Sequence, residues 1–141
     1  MTNVDLQKLF IYWKNEADYS DEIRQILFRK KKYPECLFFG HLTVEKILKA
    51  LYVAKFKKHA PLIHDLVKSS KAVGLPFSAE ELADMASISR FNIAGRYDHE
   101  KQTFRKKCTA AFAKHYHERI THYYVWLKEW IKKTDALSPS A

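Results

Sequence analysis

The sequence predicts an all-α fold, an up-and-down helical bundle of three long helices plus two short ones. Only three of its 141 residues are glycine and four are proline, and residues 100–133 contain neither. Apolar residues recur at intervals of three and four, the spacing of helices that pack on one face, and no stretch alternates like a strand. A hydrophobic content of 47% supports one packed domain. We place this domain at residues 1–133 and expect a flexible C-terminal tail at residues 134–141.

The first two long helices are predicted at residues 4–30 and 34–57. The apolar positions of the first follow amphipathic spacing: Leu6, Leu9, Phe10, Trp13, Ala17, Ser20, Ile23 and Leu27. A basic run ends this helix, and Pro34 suits the first turn of the next helix because its missing N–H costs nothing there. A turn this short predicts an antiparallel helical hairpin.

The two short helices are predicted at residues 64–74 and 79–92. Gly74 closes the first, and Ser78 with Glu81 has the spacing of a capping box that starts the second. The third long helix is expected to run unbroken over residues 100–133, a length of roughly 50 Å at 1.5 Å per residue.

The net charge of +9 is concentrated in two blocks. Residues 28–58 carry nine basic and two acidic side chains, and residues 101–141 carry nine basic and three acidic ones. Such blocks attract nucleic acid or an acidic protein partner. The alternative interpretation is a charged surface that only keeps the protein in solution.

Several classes of protein are disfavoured by what the sequence lacks. No run of about 18 uncharged apolar residues predicts a membrane span, and no secretory signal is visible. Cys36 and Cys108 lie within helical patterns and are expected to be buried reduced thiols, which indicates a cytoplasmic protein. No glycine-rich phosphate loop or nucleophile elbow is present. His115, His117 and His122 do not form a tetrahedral ligand set, so we expect no metal and no other cofactor.

Two polar motifs stand out before residue 70. His41 and Glu45 are four residues apart on an otherwise apolar helix face, where polar side chains are costly unless they are paired or functional. The alternative is a pair that satisfies itself at a helix interface. His64 and Asp65 follow a proline break, and their alternative role is to cap the next helix.

A third motif, RFNIAGRYDHEK at residues 90–101, fills the gap before the last predicted helix. Gly95 is expected to make the bend. Arginine and histidine suit recognition of a phosphodiester, or metal-independent RNA cleavage in which His moves protons and Arg stabilises the charge on phosphate. The alternative is a turn that is merely polar.

Taken in order, these motifs resemble the HEPN domain family, named for higher eukaryotes and prokaryotes nucleotide-binding. The resemblance covers about residues 5–131. It rests on the segment from Phe38 to Leu51, on His64-Asp65-Leu66, and on Asn92 followed by Arg96-Tyr97-Asp98. The family's Arg-Tyr-Pro-Asp element lacks its proline here and reads Arg-Tyr-Asp-His at residues 96–99.

The resemblance implies a helical homodimer that binds nucleotide or nucleic acid. It also implies a minimal nucleotidyltransferase as partner, often in a toxin–antitoxin pair. The polar residues that it assigns to nucleotide or nucleic-acid binding are His41, Glu45, His64, Asp65, Asn92, Arg96, Tyr97 and Asp98.

Ribonuclease members of the family carry Arg and His separated by four to six residues, and this chain does not. Two residues separate Arg96 from His99, and two separate Arg119 from His122. We therefore expect a non-catalytic binding module. The first alternative is a ribonuclease toxin that uses Arg96 with His99 or His64, and the second is a purely structural helical dimer.

Overall fold

Six helices and no strand make up residues 1–134, the part of the chain that the computed structural model describes. They are α1 (Asn3–Arg29), α2 (Tyr33–Phe56), α3 (Leu66–Ala72), α4 (Ala79–Ser89), α5 (Asp98–Lys107) and α6 (Ala110–Thr134). The predicted all-helical, up-and-down bundle is confirmed, with one helix more than expected. The tail predicted at residues 134–141 lies outside the described residues except for Thr134, which ends α6.

The four longer helices α1, α2, α4 and α6 form the bundle. α1 is antiparallel to α2, because Lys46 of α2 contacts Ser20 of α1 while Lys49, further along α2, lies over the ring of Trp13, earlier in α1. α6 runs parallel to α2, since Cys36 contacts His117 while Gly40, one turn further along α2, approaches Ile120. An added Cβ at Gly40 would lie 2.5 Å from the Ile120 side chain. α4 returns antiparallel to α6, since Asp84 pairs with Arg119 while Phe77 contacts Trp126 one to two turns further along α6. α3 and α5 connect these helices at their ends.

The prediction of one unbroken helix over residues 100–133 is wrong, because the chain breaks at Cys108 and Thr109. Cys108 leaves helical geometry with ψ of 65°, and the Thr109 hydroxyl accepts a hydrogen bond from the Phe112 N–H at 3.2 Å. A threonine at this position caps a new helix. The i, i+4 spacing of Phe104, Cys108 and Phe112 continues across the break, so periodicity alone does not reveal it.

A fully buried arginine joins α1 to α6. Arg24 is 0% exposed, and its guanidinium donates to the Asp21 carboxylate at 2.9 and 2.5 Å. The same group donates to His117 Nδ1 at 2.8 Å and to the Thr121 hydroxyl at 3.0 Å. Burial and the Arg24 charge lower the pKa of His117 to about 4, so the imidazole is neutral and can accept this bond. The cluster therefore holds one buried charge pair at the centre of the bundle.

Neither cysteine is in a disulfide, and both are buried. Burial raises the pKa of Cys36 to about 12, although the neighbouring Arg24 charge opposes this rise. Both thiols are therefore protonated and inert at neutral pH. No helix within residues 1–134 is sufficiently long and apolar to cross a membrane.

Candidate functional site

The residues predicted to bind a ligand separate into two groups in the structure. The first group surrounds Glu45, which is buried on α2. Glu45 Oε1 lies 2.9 Å from His64 Nδ1 in the segment before α3, and Oε2 lies 3.7 Å from Lys49 Nζ. His41 Nε2 lies 3.8 Å from Oε1, which is beyond hydrogen-bond range. His41 and Glu45 are thus neighbours on α2 without a hydrogen bond between them, and the close partner of Glu45 is His64 from a different segment.

The pKa of Glu45 reflects this setting. Burial by itself raises the pKa, but the imidazoles of His41 and His64 and the Lys49 ammonium outweigh burial and hold the pKa at about 2. His41 Nδ1 donates to the Phe38 carbonyl at 3.0 Å, since a carbonyl oxygen can only accept. Its Nε2 is buried and makes no hydrogen bond with any described residue. The group ties the segment before α3 to α2.

Acidic pH is expected to destabilise the protein through Glu45. Its pKa of about 2 in the folded chain is below the ordinary value of 4.5, so its stabilising contribution is complete above pH 5 and declines as pH falls through this interval. This shift predicts a loss of about 2 kcal/mol in the free energy of unfolding between pH 6 and pH 3. Urea unfolding at the two pH values should show a smaller loss for Glu45→Gln than for the wild type. Glu118→Gln, which changes an exposed carboxylate without a side-chain partner, should retain the wild-type loss; an unchanged loss in Glu45→Gln would contradict the assignment.

Three of the predicted residues have local structural roles. Asp65 caps α3 by accepting from the N–H groups of Val67 and Lys68 at 2.9 and 3.3 Å. Asp98 lies in the first turn of α5, where a carboxylate complements the helix dipole. Asn92 is half-buried just after α4, and its backbone N–H donates to the Ser89 carbonyl at 3.2 Å, which continues the last turn of that helix. None of the three is required to touch a ligand to explain its position.

The second group lines a pocket of about 370 Å³ where α4, α5 and α6 meet. Gly95, at a φ of 80°, turns the chain between α4 and α5, and Arg96 and His99 on either side of Tyr97 both face this pocket. Tyr97 itself is 75% exposed and stacks on the His99 ring outside the lining. Small-molecule sites in proteins commonly have volumes of about 300–1,000 Å³, so the pocket can hold a ligand of nucleotide size.

The pocket combines a cationic rim with an aromatic floor. The rim carries Arg90, Arg96, His99 and Lys107, together with the polar side chains of Ser87, Glu100 and Thr103. The floor consists of four aromatic rings in mutual contact: Phe91, Phe104, Phe112 and Tyr116. Phe91 is the centre of this floor, with its ring 5.1 Å from Tyr116 and 5.7 Å from Phe104. Such a combination suits a ligand with a negative group and a flat apolar group.

The two arginines of the rim are unpaired. Within residues 1–134, neither the Arg90 nor the Arg96 guanidinium makes an ion pair or a side-chain hydrogen bond. Glu100 is the single carboxylate of the described lining, beside two guanidiniums and one ammonium. An arginine presents five N–H donors in a planar fork that fits phosphate or carboxylate oxygens. The two guanidiniums of the rim can therefore donate to an anion, and no carboxylate within residues 1–134 occupies them.

The fold brings more positive charge to this end of the bundle. Arg105, next to the pocket residue Phe104, lies 3.8 Å from Glu35 in the first turn of α2. Residues 29–32, the RKKK run, immediately precede α2 and thus lie at the same end. The other lysine run, residues 55–59, lies about 36 Å away at the far end of α2, at 1.5 Å per residue. The basic blocks of the sequence therefore divide between the two ends.

Much of this pocket is not evident from the sequence. Arg90 was within the quoted motif but was not assigned a role, and Lys107 was counted only as part of a basic run. Phe112 was placed on the same unbroken helix as Phe104, whereas the break after α5 brings both rings to one floor. The one local sign of the pocket in the sequence is the Arg90–Phe91 pair, an arginine followed directly by an aromatic residue. His64, a predicted candidate for this site, lies on Glu45 and not in the pocket.

The described part of the chain was also compared with the ligand sets that hold metal ions in proteins. No cluster of three or more His, Cys, Asp or Glu side chains capable of holding a metal ion occurs there. His117 faces Arg24, while His115 and His122 each lie edge-on to a neighbouring tyrosine.

Comparison with known proteins identifies one family. The sequence model of the HEPN domain matches residues 11–130, which is most of the chain. No curated protein and no solved structure shows significant similarity to the chain.

Proposed function

Because the chain belongs to the HEPN domain family, we propose that it is a binding module that holds a nucleotide, or one nucleotide of a single-stranded RNA, in the pocket between α4, α5 and α6. The family supports a role related to nucleotides or RNA. The observation that carries the choice of site is the pair of unpaired guanidiniums, Arg90 and Arg96, above a floor of four aromatic rings.

Each half of such a ligand has a counterpart in the pocket. The guanidiniums of Arg90 and Arg96 can donate to phosphate oxygens, and charge-assisted bonds of this kind are about twice as strong as neutral ones. A base can lie against the half-buried rings of Phe112 and Tyr116, since stacking on aromatic side chains accepts any base. Lys107, whose Nζ lies 5.5 Å from the Phe112 ring centre, adds positive charge between these two regions.

The rest of an RNA strand would follow the basic end of the bundle. Residues 105–107 and the RKKK run at 29–32 are exposed to solvent and lie at the same end of the bundle as the pocket. Cations in a row attract the phosphate backbone without reading its sequence. We therefore propose binding with little sequence preference.

The protein partners implied by the family belong to the same proposal. We propose a homodimer, with a minimal nucleotidyltransferase as its partner in a toxin–antitoxin-like pair. A reading frame for a short nucleotidyltransferase beside this gene, and co-purification of the two proteins, would support this partner. Separate elution of the two co-expressed chains would count against it.

Binding of single-stranded RNA is expected to weaken steeply with salt. Three phosphate contacts predict a fall of roughly 20-fold in affinity between 50 and 200 mM salt, because each contact releases condensed counterions. Fluorescence anisotropy of a labelled oligonucleotide measures this slope. A flat response would remove nucleic acid from the proposal, whereas a labelled nucleoside triphosphate that still binds would leave a free nucleotide as the ligand.

A ribonuclease activity is the second candidate, because Arg96 and His99 line the same pocket. His99 would take the proton from a ribose 2′-hydroxyl, whose oxygen then bonds to the adjacent phosphorus while the bond from phosphorus to the 5′-oxygen of the next nucleotide breaks. The departing 5′-oxygen takes a proton from water, and Arg96 would stabilise the charge that develops on phosphate. Incubating RNA with the protein and a metal chelator tests this activity directly. Cleavage that is lost in His99→Ala and kept in His59→Ala, an exposed histidine remote from the pocket, would establish the enzyme; bound but intact RNA would establish the binding module.

A further inference from the structure

One face of α1 is exposed along its whole length. It carries seven residues at intervals of three and four, which we name the α1 stripe: Val4, Lys8, Ile11, Asn15, Tyr19, Glu22 and Ile26. All seven are exposed, and the four apolar ones are 40–60% exposed. The opposite face of α1 packs into the bundle through buried residues such as Leu6, Ala17 and Arg24. Four of the seven stripe positions are thus apolar side chains that a helix laid against this face would bury.

The α1 stripe is approximately symmetric about its middle residue, because similar or complementary residue types lie at equal distances on either side of it. Asn15 is central, with Ile11 and Tyr19 four residues to either side. Lys8 and Glu22 follow at seven residues, with opposite charges. Val4 and Ile26 close the stripe at eleven residues. Apolar positions thus mirror apolar positions, and the one basic residue mirrors the one acidic residue.

We propose that the α1 stripe is the seam of a symmetric dimer, in which α1 of a second copy of this chain lies antiparallel across it with the two-fold axis at Asn15. The proposal specifies the interface of the homodimer given under the proposed function. It rests on that homodimer and not on RNA binding. A two-fold axis at Asn15 places Lys8 of each copy opposite Glu22 of the other, and Val4 opposite Ile26. The stripe from Val4 to Ile26 spans about 33 Å, at 1.5 Å per residue.

Charge complementarity selects a second copy as the occupant. Lys8 and Glu22 have no ion-pair or hydrogen-bond partner among the described residues, so both side chains are available to a second chain. A two-fold interface uses the same patch twice, so one Lys8–Glu22 match becomes two ion pairs. Parallel pairing would instead set Lys8 against Lys8 and Glu22 against Glu22, which like-charge repulsion disfavours. The charge pattern therefore favours a second copy of this chain as the partner and an antiparallel arrangement of the two α1 helices.

The seam and the pocket are separate surfaces. No residue of the α1 stripe lines the pocket between α4, α5 and α6. A protein that fails to dimerise through α1 can thus still bind RNA, and one that fails to bind RNA can still dimerise. The two proposals fail independently.

Disulfide trapping tests the position of the two-fold axis. Helices packed at about 8–10 Å would bring the two residues 15 close enough for a disulfide, whereas the two residues 8 would be separated by about 21 Å along the axis. Under mild oxidation, Asn15→Cys should form a covalent dimer and Lys8→Cys should stay monomeric on a non-reducing gel. The native thiols are buried and should not contribute. Equal cross-linking of both variants, or none in Asn15→Cys, would overturn the proposal.

A reciprocal charge exchange tests the ion pairs. Lys8→Glu or Glu22→Lys alone places like charges opposite each other twice, and each should raise the dimer dissociation constant about tenfold or more in sedimentation equilibrium. The double variant restores opposite charges and should return to within about threefold of the wild type. Both residues are exposed, so circular dichroism should show unchanged folding in every variant. A double variant that dissociates as much as the singles, or a wild type that is monomeric throughout, would contradict the seam.

Discussion

Replacing Arg90 and Arg96 together by alanine is expected to lower the affinity for single-stranded RNA by about 100-fold or more. Each guanidinium is proposed to donate to phosphate, and a hydrogen bond between charged groups contributes about 1.5–3 kcal/mol. Both side chains lack partners within the described chain, so their removal should leave stability within about 0.5 kcal/mol of the wild type. Fluorescence anisotropy with a labelled oligonucleotide, alongside urea unfolding, separates the two effects.

A double variant on α3 provides the matched control. Lys68→Ala with Lys71→Ala removes the same two positive charges from exposed positions outside the pocket. We expect this control to weaken binding by less than about threefold, since only the general attraction is reduced. Arg90→Lys with Arg96→Lys should lie between, because lysine keeps the charge and loses the planar fork. Equal losses in the alanine and α3 variants would show that net charge, and not the pocket, holds the RNA.

Asp21→Ala is expected to cost about 3–5 kcal/mol in the free energy of unfolding. The change leaves the Arg24 guanidinium, which is 0% exposed, without its carboxylate partner inside the bundle. Removing one partner of a buried charge pair leaves an uncompensated charge in a medium that solvates it poorly. A loss of this size approaches the total free energy of unfolding of a small domain. The variant should therefore be largely unfolded at moderate temperature. Urea or thermal unfolding followed by circular dichroism measures the loss.

Two further variants distinguish charge burial from general damage to α1 or α6. Glu118→Ala removes an exposed carboxylate next to His117 and should change stability by about 0.5 kcal/mol or less. Asp21→Leu combined with Arg24→Met replaces both charges by apolar side chains, which can be nearly neutral at buried sites. The double variant should therefore be more stable than Asp21→Ala. A double variant that is less stable would mean that the cluster acts through its hydrogen bonds to α6 and not through the charge pair.

The helices and their ends were largely accessible from sequence, because their signals are local. Ser78 and Glu81 make both hydrogen bonds of the predicted capping box at the start of α4. Pro34 lies in the first turn of α2, and Gly95 has the positive φ that a turn requires. Family membership was accessible for the same reason, since its motifs are short and ordered along the chain.

The features that could not be predicted depend on contacts between distant segments. Nothing in the sequence indicates that Arg24 is buried. Asp21, His117 and Thr121 surround it, and two of these lie more than 90 residues away. His64 reaches Glu45 across 19 residues of sequence. The pocket needs the break at Thr109, which a continuous apolar pattern concealed. For Arg24 and His64 the missing information was which segment lies opposite, and for the pocket it was the position of the helix break.

The RFNIAGRYDHEK segment shows both local features, which the sequence predicted, and contacts between distant segments, which it did not. Its bend at Gly95 was predicted, and Arg96 with His99 does reach a pocket. Tyr97 and Asp98, assigned to the same site from the family motif, do not line that pocket. The residues that complete it come from α4, α5 and α6, beyond the reach of the motif.

Amide chemical shifts during a titration with a single-stranded RNA oligonucleotide test the central claim most directly. A chain of 16.6 kDa gives resolved two-dimensional NMR spectra, so each pocket residue can be followed without any substitution. The pocket account predicts that the largest shifts fall on residues 87–116, around Arg90, Arg96 and Thr103, with smaller shifts at 29–32. Shifts concentrated at residues 55–59, at the far end of α2, or spread evenly over all exposed lysines would contradict it.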